Sequence, residues 1–343
     1  MSGPPELEFP VLIGDIGGTN ARFQIIKQPN SKAILFEPVR TADFDSLEDS
    51  IAQSVLASTD VQPRSAIIAA AGPITSDGLN LTNCHWNIIP EKFLQLATFE
   101  KLMLMNDFEA QALALPCLSE TDGVALGARN LQANADYTKA VLGPGTGLGV
   151  GLLVRAGGKW IPVAGEGGHV DLGPRNPREA DIWQYLETVG GRISAEQVVC
   201  GDGLVNLYRA CCVVEKLKPQ LQTPADISIA AMSSSDAQAE EALSLFCTTL
   251  GRIAGDLAVT SMAKGGVYIG GGIAQKILPF LQASQFRANF EDKAPHEELM
   301  QNIATIVVTH PLPALLGLAA FANAPQTFLV DVSHRTWRRN LAI

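Results

Sequence analysis

V-L-I-G-D-I-G-G-T-N-A-R-F-Q-I-I, residues Val11 to Ile26, decides how the rest of the chain is read. Two apolar, β-rich runs, Val11 to Ile13 and Phe23 to Ile26, flank a polar turn, which is the pattern of a two-stranded hairpin. Gly14, Gly17 and Gly18 open backbone angles closed to other residues and let a ligand come close. With Ile16 and Thr19 they form a cradle whose successive N–H groups suit a phosphate. Asp15 stands inside it. A carboxylate beside a phosphate is repulsive unless a cation lies between them, so the turn reads as one for a metal-bound nucleotide. An ordinary glycine turn capped by Asp15 and Asn20 has the same spelling, and this stretch alone leaves both readings open.

Val141 to Val154, V-L-G-P-G-T-G-L-G-V-G-L-L-V, repeats the grammar of apolar strand, Gly/Thr turn and apolar strand. Two such hairpins imply a duplicated nucleotide cradle, with Gly145 and Thr146 at the second turn. Gly265 to Ile273, G-G-V-Y-I-G-G-G-I, is a short buried strand between glycines, and Gly271 and Gly272 can lie flat against a base or ribose. None of the three stretches fits the Walker pattern or the dinucleotide G-x-G-x-x-G that opens a helix.

Three further stretches carry acids. Leu102 to Met105 is short and apolar enough for a buried strand, and Asn106-Asp107-Phe108-Glu109 opens a helix that runs to Leu115 before Pro116. Asn106 and Glu109 have capping-box spacing, yet capping needs only one of these polar residues. In open α/β folds ligands bind where a strand ends and a helix begins, so Asp107 is a candidate ionised proton acceptor. Gly165-Glu166-Gly167-Gly168-His169-Val170-Asp171 sets acid, imidazole and acid among glycines, as a tight turn with a solvated acid also would. Gly190 to Gln197 reads as a loop into a helix N-terminus capped by Ser194, with Gln197 closing the box and Glu196 as a first-turn acid.

The chain has 343 residues, of which 47% are hydrophobic and 17% charged, an ordinary globular balance with room for two lobes. Its formal charge of −10 argues against nucleic acid or an anionic membrane as partner. No uninterrupted apolar run reaches the roughly 18 residues of a membrane span. The acidic start lacks a signal peptide's regions, so a cytoplasmic protein is expected. The six cysteines form no C-x-x-C pair and are read as reduced thiols, with Cys211 and Cys212 inside a helix from Leu204 to Leu217. Met1 to Glu8 reads as a loose leader and Arg335, Arg338 and Arg339 as a solvated basic tail. His85 reads as a surface loop residue. Helical spacing covers Phe44 to Leu56, Leu243 to Ala263 and, broken at Ser233 to Ser235, Pro224 to Ala242; Ala314 to Ala322 reads as a small-residue helix suited to close packing. Ser65 to Ala71 and Ile303 to Val308 read as strands.

Taken in order, G-D-I-G-G-T-N-A-R from Gly14, L-T-N at Leu81, N-D-F at Asn106, G-P-G-T-G-L-G-V at Gly143, G-E-G-G-H-V-D at Gly165, S-A-E-Q-V at Ser194, G-L-V-N-L-Y-R-A at Gly203 and G-G-V-Y-I-G-G-G-I at Gly265 resemble the bacterial-type glucokinase family. The resemblance implies an α/β, two-lobed actin-like or ribonuclease H-like ATPase fold with an interlobe cleft. The small lobe would be 1–117, completed by 310–343, and the large lobe 118–309. It implies transfer of the γ-phosphate of ATP to the 6-hydroxyl of D-glucose, with Mg²⁺ carried by ATP near Asp15 and no metal site made by protein alone. Asn106, Asp107, Glu166, His169 and Glu196 would hold the sugar and Asp107 would be the base. Gly14, Asp15, Ile16, Gly17, Gly18, Thr19, Gly145, Thr146, Gly271 and Gly272 would hold the nucleotide. A homodimer is expected on the same ground. The zinc motif of the related ROK kinases and repressors is absent, as is a helix-turn-helix ahead of the first hairpin. A kinase for another hexose, or a nucleotide-switched regulator on this fold, are the competing readings.

Overall fold

The computed structural model describes residues 6–81, 84–96, 98–127 and 136–339. Thr82 and Asn83 of the L-T-N motif lie outside the described residues, as does most of the leader. The chain forms two compact units, one of 1–117, 153–164 and 311–343, the other of 118–152 and 165–310.

In the first unit the opening stretch forms strands Val11–Ile16 and Asn20–Ile26, paired antiparallel so that Asp15 stands opposite Arg22. Val11–Ile16 also pairs parallel with Ser65–Ala70, which pairs parallel with Lys101–Asn106. These runs are β-branched or apolar and buried on both faces, as parallel central strands require. Their shared direction brings Asp15, Ala70 and Asn106 to one edge of the sheet. The segment Phe44 to Leu56 is helical only over Leu47–Ser54, because the Ser46 side chain accepts from the Asp49 amide and starts the helix there. The turn-rich stretch after Ala71 folds into a small antiparallel sheet of Ile74–Thr75, Gly78–Asn80 and Asn87–Ile88.

Two expectations for the chain ends are corrected. The described end of the leader, Glu6 to Glu8, is tied down, since the Lys101 ammonium donates to the Glu6 carbonyl and the Glu8 amide to Ser65 Oγ at 2.9 Å. The tail is no solvated end: Thr336–Arg338 pairs antiparallel with Lys101–Asn106, and Arg335 forms two bonds, of 2.5 and 2.8 Å, with the buried Glu109 carboxylate. Arg339 donates to the Leu94 carbonyl. The small-residue helix, Pro313–Asn323, packs on the Asp107–Ala114 helix so closely that a Cβ on Gly317 would overlap the Ala110 carbonyl.

A second sheet repeats this plan, running Gly123–Ala125, Thr305–Val308, Val267–Ile269, Lys139–Pro144, Leu148–Ala156, Lys159–Gly165. Place by place this matches the order Thr336–Arg338, Lys101–Asn106, Ser65–Ala70, Val11–Ile16, Asn20–Ile26, Ile34–Leu35 of the first sheet. In both, an antiparallel edge strand precedes two parallel strands that lead to a glycine hairpin. Residues 153–164, read from sequence as part of the large lobe, cluster instead with the first unit. There Trp160 bridges to Phe328, and its carbonyl accepts from the Leu329 amide at 2.8 Å.

Helices Gly201–Val214, Pro224–Met232 and Ala237–Ser261 cover this sheet, the break falling at Ser233 to Ser235 as the spacing predicts. Ala237–Ser261 is long and apolar enough to cross a bilayer, although it interrupts its apolar residues with Glu240, Glu241, Arg252 and Asp256. Of its most apolar 18-residue window 67% is buried within the protein, and the helix packs on both neighbouring helices.

Candidate active site

At the sheet edge of the first unit, Asn106 caps the helix that follows it. Its Oδ1 accepts from the Phe108 amide at 2.9 Å and the Glu109 amide at 3.1 Å. The reciprocal half of the predicted capping box is missing, because Glu109 turns inward to Arg335 instead. Asp107, the first helical residue, is half-buried and accepts from the Phe108 amide at 3.0 Å. The helix N-terminus thus presents its positive end to the Asp107 carboxylate.

Asp15 lies at the same end of the sheet, separated from the Asn106 strand by Ser65–Ala70, and close enough for the Asp107 charge to act on it. Burial first, and then that charge, push its carboxyl up to about 6, against the opposing pull of Arg22 at 3.5 Å. An acid held in this way fits a cation, which would relieve both the desolvation and the repulsion. The first glycine turn is held by Thr41, whose amide donates to the Thr19 carbonyl at 3.0 Å and whose hydroxyl donates to the Gly18 carbonyl at 2.8 Å. Gly18 and Thr19 are exposed.

The glycines of this turn work differently from the sequence reading. Gly14, Gly17 and Gly18 are not among the glycines with positive φ. Gly14 is buried within its strand, where a Cβ would come 2.7 Å from Ile68 Cδ1, so packing excludes a side chain there.

In the second unit, Gly145, Thr146, Gly271 and Gly272 are brought together. The Gly145 amide closes its turn on the Gly147 carbonyl at 2.8 Å, and the Gly145 carbonyl accepts from the Gly201 amide at 2.9 Å, which ties the turn to the start of the Gly201–Val214 helix. Gly271, with φ of 79°, passes so near Pro144 that a Cβ would overlap that residue's carbonyl. A helix N-terminus and two glycine turns therefore converge, an arrangement that suits anionic groups.

Glu166, His169 and Glu196 form a second cluster in that unit. Glu166 is 83% exposed and its Oε2 lies 3.8 Å from His169 Nε2. Arg192, which had no role in the sequence reading, donates to the His169 carbonyl at 2.6 Å and to Asp171 Oδ1 at 2.7 Å. Glu196 is tied in through its backbone, whose amide donates to the Gly168 carbonyl at 2.8 Å. Its carboxylate reaches the second glycine hairpin, where Oε2 accepts from the Leu148 amide at 2.8 Å.

The predicted helix start at Ser194 is not observed. Gln197 does accept from the Ser194 amide at 2.9 Å, but Ser194 bridges to Asp171 rather than entering a helix. Turns continue to Gly201, where Cys200 Sγ caps the helix. His85 sits against the Phe44 carbonyl at 3.1 Å, in keeping with its reading as a loop residue. Among the described residues no group of three His, Cys, Asp or Glu side chains is arranged to hold a metal, and all six cysteines are free thiols.

Two hairpin-led sheets of the same strand order give the fold of the sugar-kinase class. The glucokinase family model matches residues 12–325, and the chain belongs to the glucokinase family, an ATP-dependent hexose kinase that phosphorylates glucose. It is 54% identical over 333 residues to a glucokinase of Rhizobium johnstonii and 50% identical over 332 residues to one of Agrobacterium fabrum, each comparison covering 97% of both chains. The crystal structure of a glucokinase from an Antarctic psychrotroph covers 91% of this chain and 98% of its own at 33% identity and a TM-score of 0.80. A Balamuthia mandrillaris glucokinase in complex with glucose covers 91% of this chain and 93% of its own at 25% identity and a TM-score of 0.73. A ROK family glucokinase from Streptomyces griseus, solved with glucose and AMPPNP, covers 91% of this chain and 98% of its own at 19% identity and a TM-score of 0.60, and shares the fold.

Proposed function

We propose that Asp107 is the general base of glucose phosphorylation. Its carboxylate takes the proton of the 6-hydroxyl as that oxygen bonds to the γ-phosphorus of ATP and the bond to the β-phosphate oxygen breaks, which yields glucose 6-phosphate and ADP. The observation that carries this reading is the junction itself, where Asn106 caps the helix, Asp107 follows at its positive end, and Asp15 lies within electrostatic reach. Asn106 Oδ1 is engaged by two amides, so its Nδ2 is the group assigned to a sugar hydroxyl. Glu166, His169 and Glu196 are assigned the remaining hydroxyls.

For the nucleotide, the amides of the turn from Gly14 to Thr19, with Asp15 and Ile16 inside it, and those of Gly145, Thr146, Gly271 and Gly272 are assigned to ATP. Mg²⁺, when bound with ATP, supplies neutralisation of phosphate charge, and Asp15 is the side chain assigned to it. Family likeness further supports a homodimer in the cytoplasm.

Turnover over a panel of hexoses with ATP and Mg²⁺ tests the substrate assignment. Glucose is expected to show the highest kcat/KM, and a higher value for mannose or glucosamine would overturn it.

The Asp15 assignment has a pH signature. With its pKa raised to about 6, Asp15 of the free enzyme is charged above that pH and gains a proton below it. The kcat/KM for Mg–ATP therefore falls about tenfold per unit as pH drops below 6, because that parameter reports free-enzyme ionisation. In kcat, measured with the cation bound, the limb moves to lower pH. A flat kcat/KM profile down to pH 5 would remove Asp15 from the cation site.

A further inference from the structure

Gly147 and the Leu148 amide belong to the second glycine hairpin, whose turn is assigned above to ATP, yet both meet Glu196. The Leu148 N–H donates to Glu196 Oε2 at 2.8 Å. A Cβ on Gly147 would overlap that same oxygen and lie 3.2 Å from the carboxyl carbon. A Cβ at 147 would therefore displace the Glu196 carboxylate rather than strain the backbone, since this residue is not among those with positive φ. The neighbouring turn joins the arrangement: the Gly168 carbonyl accepts from the Glu196 amide, and a Cβ on Gly168 would overlap the Leu148 carbonyl.

We infer that Gly147 and the Leu148 amide are positioning elements for the sugar: they fix one oxygen of Glu196 so that the other is aimed at a glucose hydroxyl. The second hairpin then serves the acceptor as well as the nucleotide. This inference rests on the assignment of Glu196 to glucose. A charged acceptor pinned by a backbone N–H loses little further freedom when the sugar arrives, so its hydrogen bond to the hydroxyl is stronger than that of a mobile acid. A methyl group at 147 pushes the carboxylate off its amide and misdirects it.

Steady-state kinetics of Gly147→Ala test the inference. The KM for glucose is expected to rise on the order of tenfold to hundredfold, the loss associated with a misdirected hydrogen bond to a charged group, while the KM for ATP changes far less. In Gly147→Ala/Glu196→Asp the acid is one methylene shorter and clears the added methyl, so part of the glucose affinity returns. A turn that merely packs tightly would lower the denaturation midpoint without splitting the two KM values and without rescue.

In the unsubstituted protein, glucose alone is expected to slow hydrogen exchange at the Leu148 amide. A rise confined to the KM for ATP, an equal rise in both constants, or unchanged Leu148 exchange would overturn the inference. An unchanged glucose KM in Glu196→Ala would instead strike the assignment on which it rests.

Discussion

Asp107→Asn is expected to lower kcat by about 10²–10⁴-fold, the contribution of a positioned general base, while glucose and ATP still bind. Asparagine has the same shape and can still accept from the Phe108 amide as Asp107 does, so the helix start is preserved. Only the proton acceptor is lost. A second readout separates this from a general disturbance of the site. The Asp107 charge is one of the two influences that raise the Asp15 pKa. With a neutral residue at 107, the acid limb of kcat/KM for Mg–ATP moves to lower pH, because Asp15 then gives up its proton more readily. Near-normal turnover in a coupled assay would remove Asp107 as the base, and an unmoved acid limb would show that the two carboxylates do not act on one another.

The hairpins, and therefore the duplication, were legible because strand period and glycine turns are local signals. Val11 to Ile26 and Val141 to Val154 each spell out two strands and the turn between them. The junction at Asn106 was legible for the same reason, since a strand end and a helix cap are written in adjacent residues. What stayed hidden was long-range. Arg335 lies 226 residues from Glu109, and nothing near either residue announces the pair. Leu148 donates through its backbone, which sequence cannot distinguish from any other amide, so the link to Glu196 was invisible. Gly14 was read for its conformational freedom, whereas the contact that excludes a side chain there comes from Ile68 on another strand. The Ser194 cap failed through competition: the spacing was right and its Gln197 bond forms, but a bridge from Asp171 claims the segment before a helix can start.

Arg335→Ala is expected to destabilise the first unit by about 3–5 kcal/mol, the cost of leaving a buried partner charge uncompensated. Glu109 is 2% exposed and Arg335 18%, so water does little to screen the pair or to replace the lost cation. The same arginine backbone accepts from the Leu104 amide at 3.0 Å, and its Nε donates to the Asp331 carbonyl at 2.6 Å, which seats the terminal strand beside Lys101–Asn106. For a unit of this size the loss corresponds to a midpoint about 6–20 °C lower in thermal unfolding. The sign of a second substitution tests the cause. Glu109→Leu/Arg335→Met replaces both charges with apolar groups of similar bulk and is expected to regain most of the stability, since a buried pair costs desolvation that an apolar pair does not. Glu109 lies one residue beyond the Phe108 amide shared by Asn106 and Asp107, so the single variant also loosens the helix start and lowers kcat, and the double variant restores both. A stability within about 1 kcal/mol of the parent, the range of exposed ion pairs, would show that the tail is held by its strand alone and that the arginine adds nothing to the site.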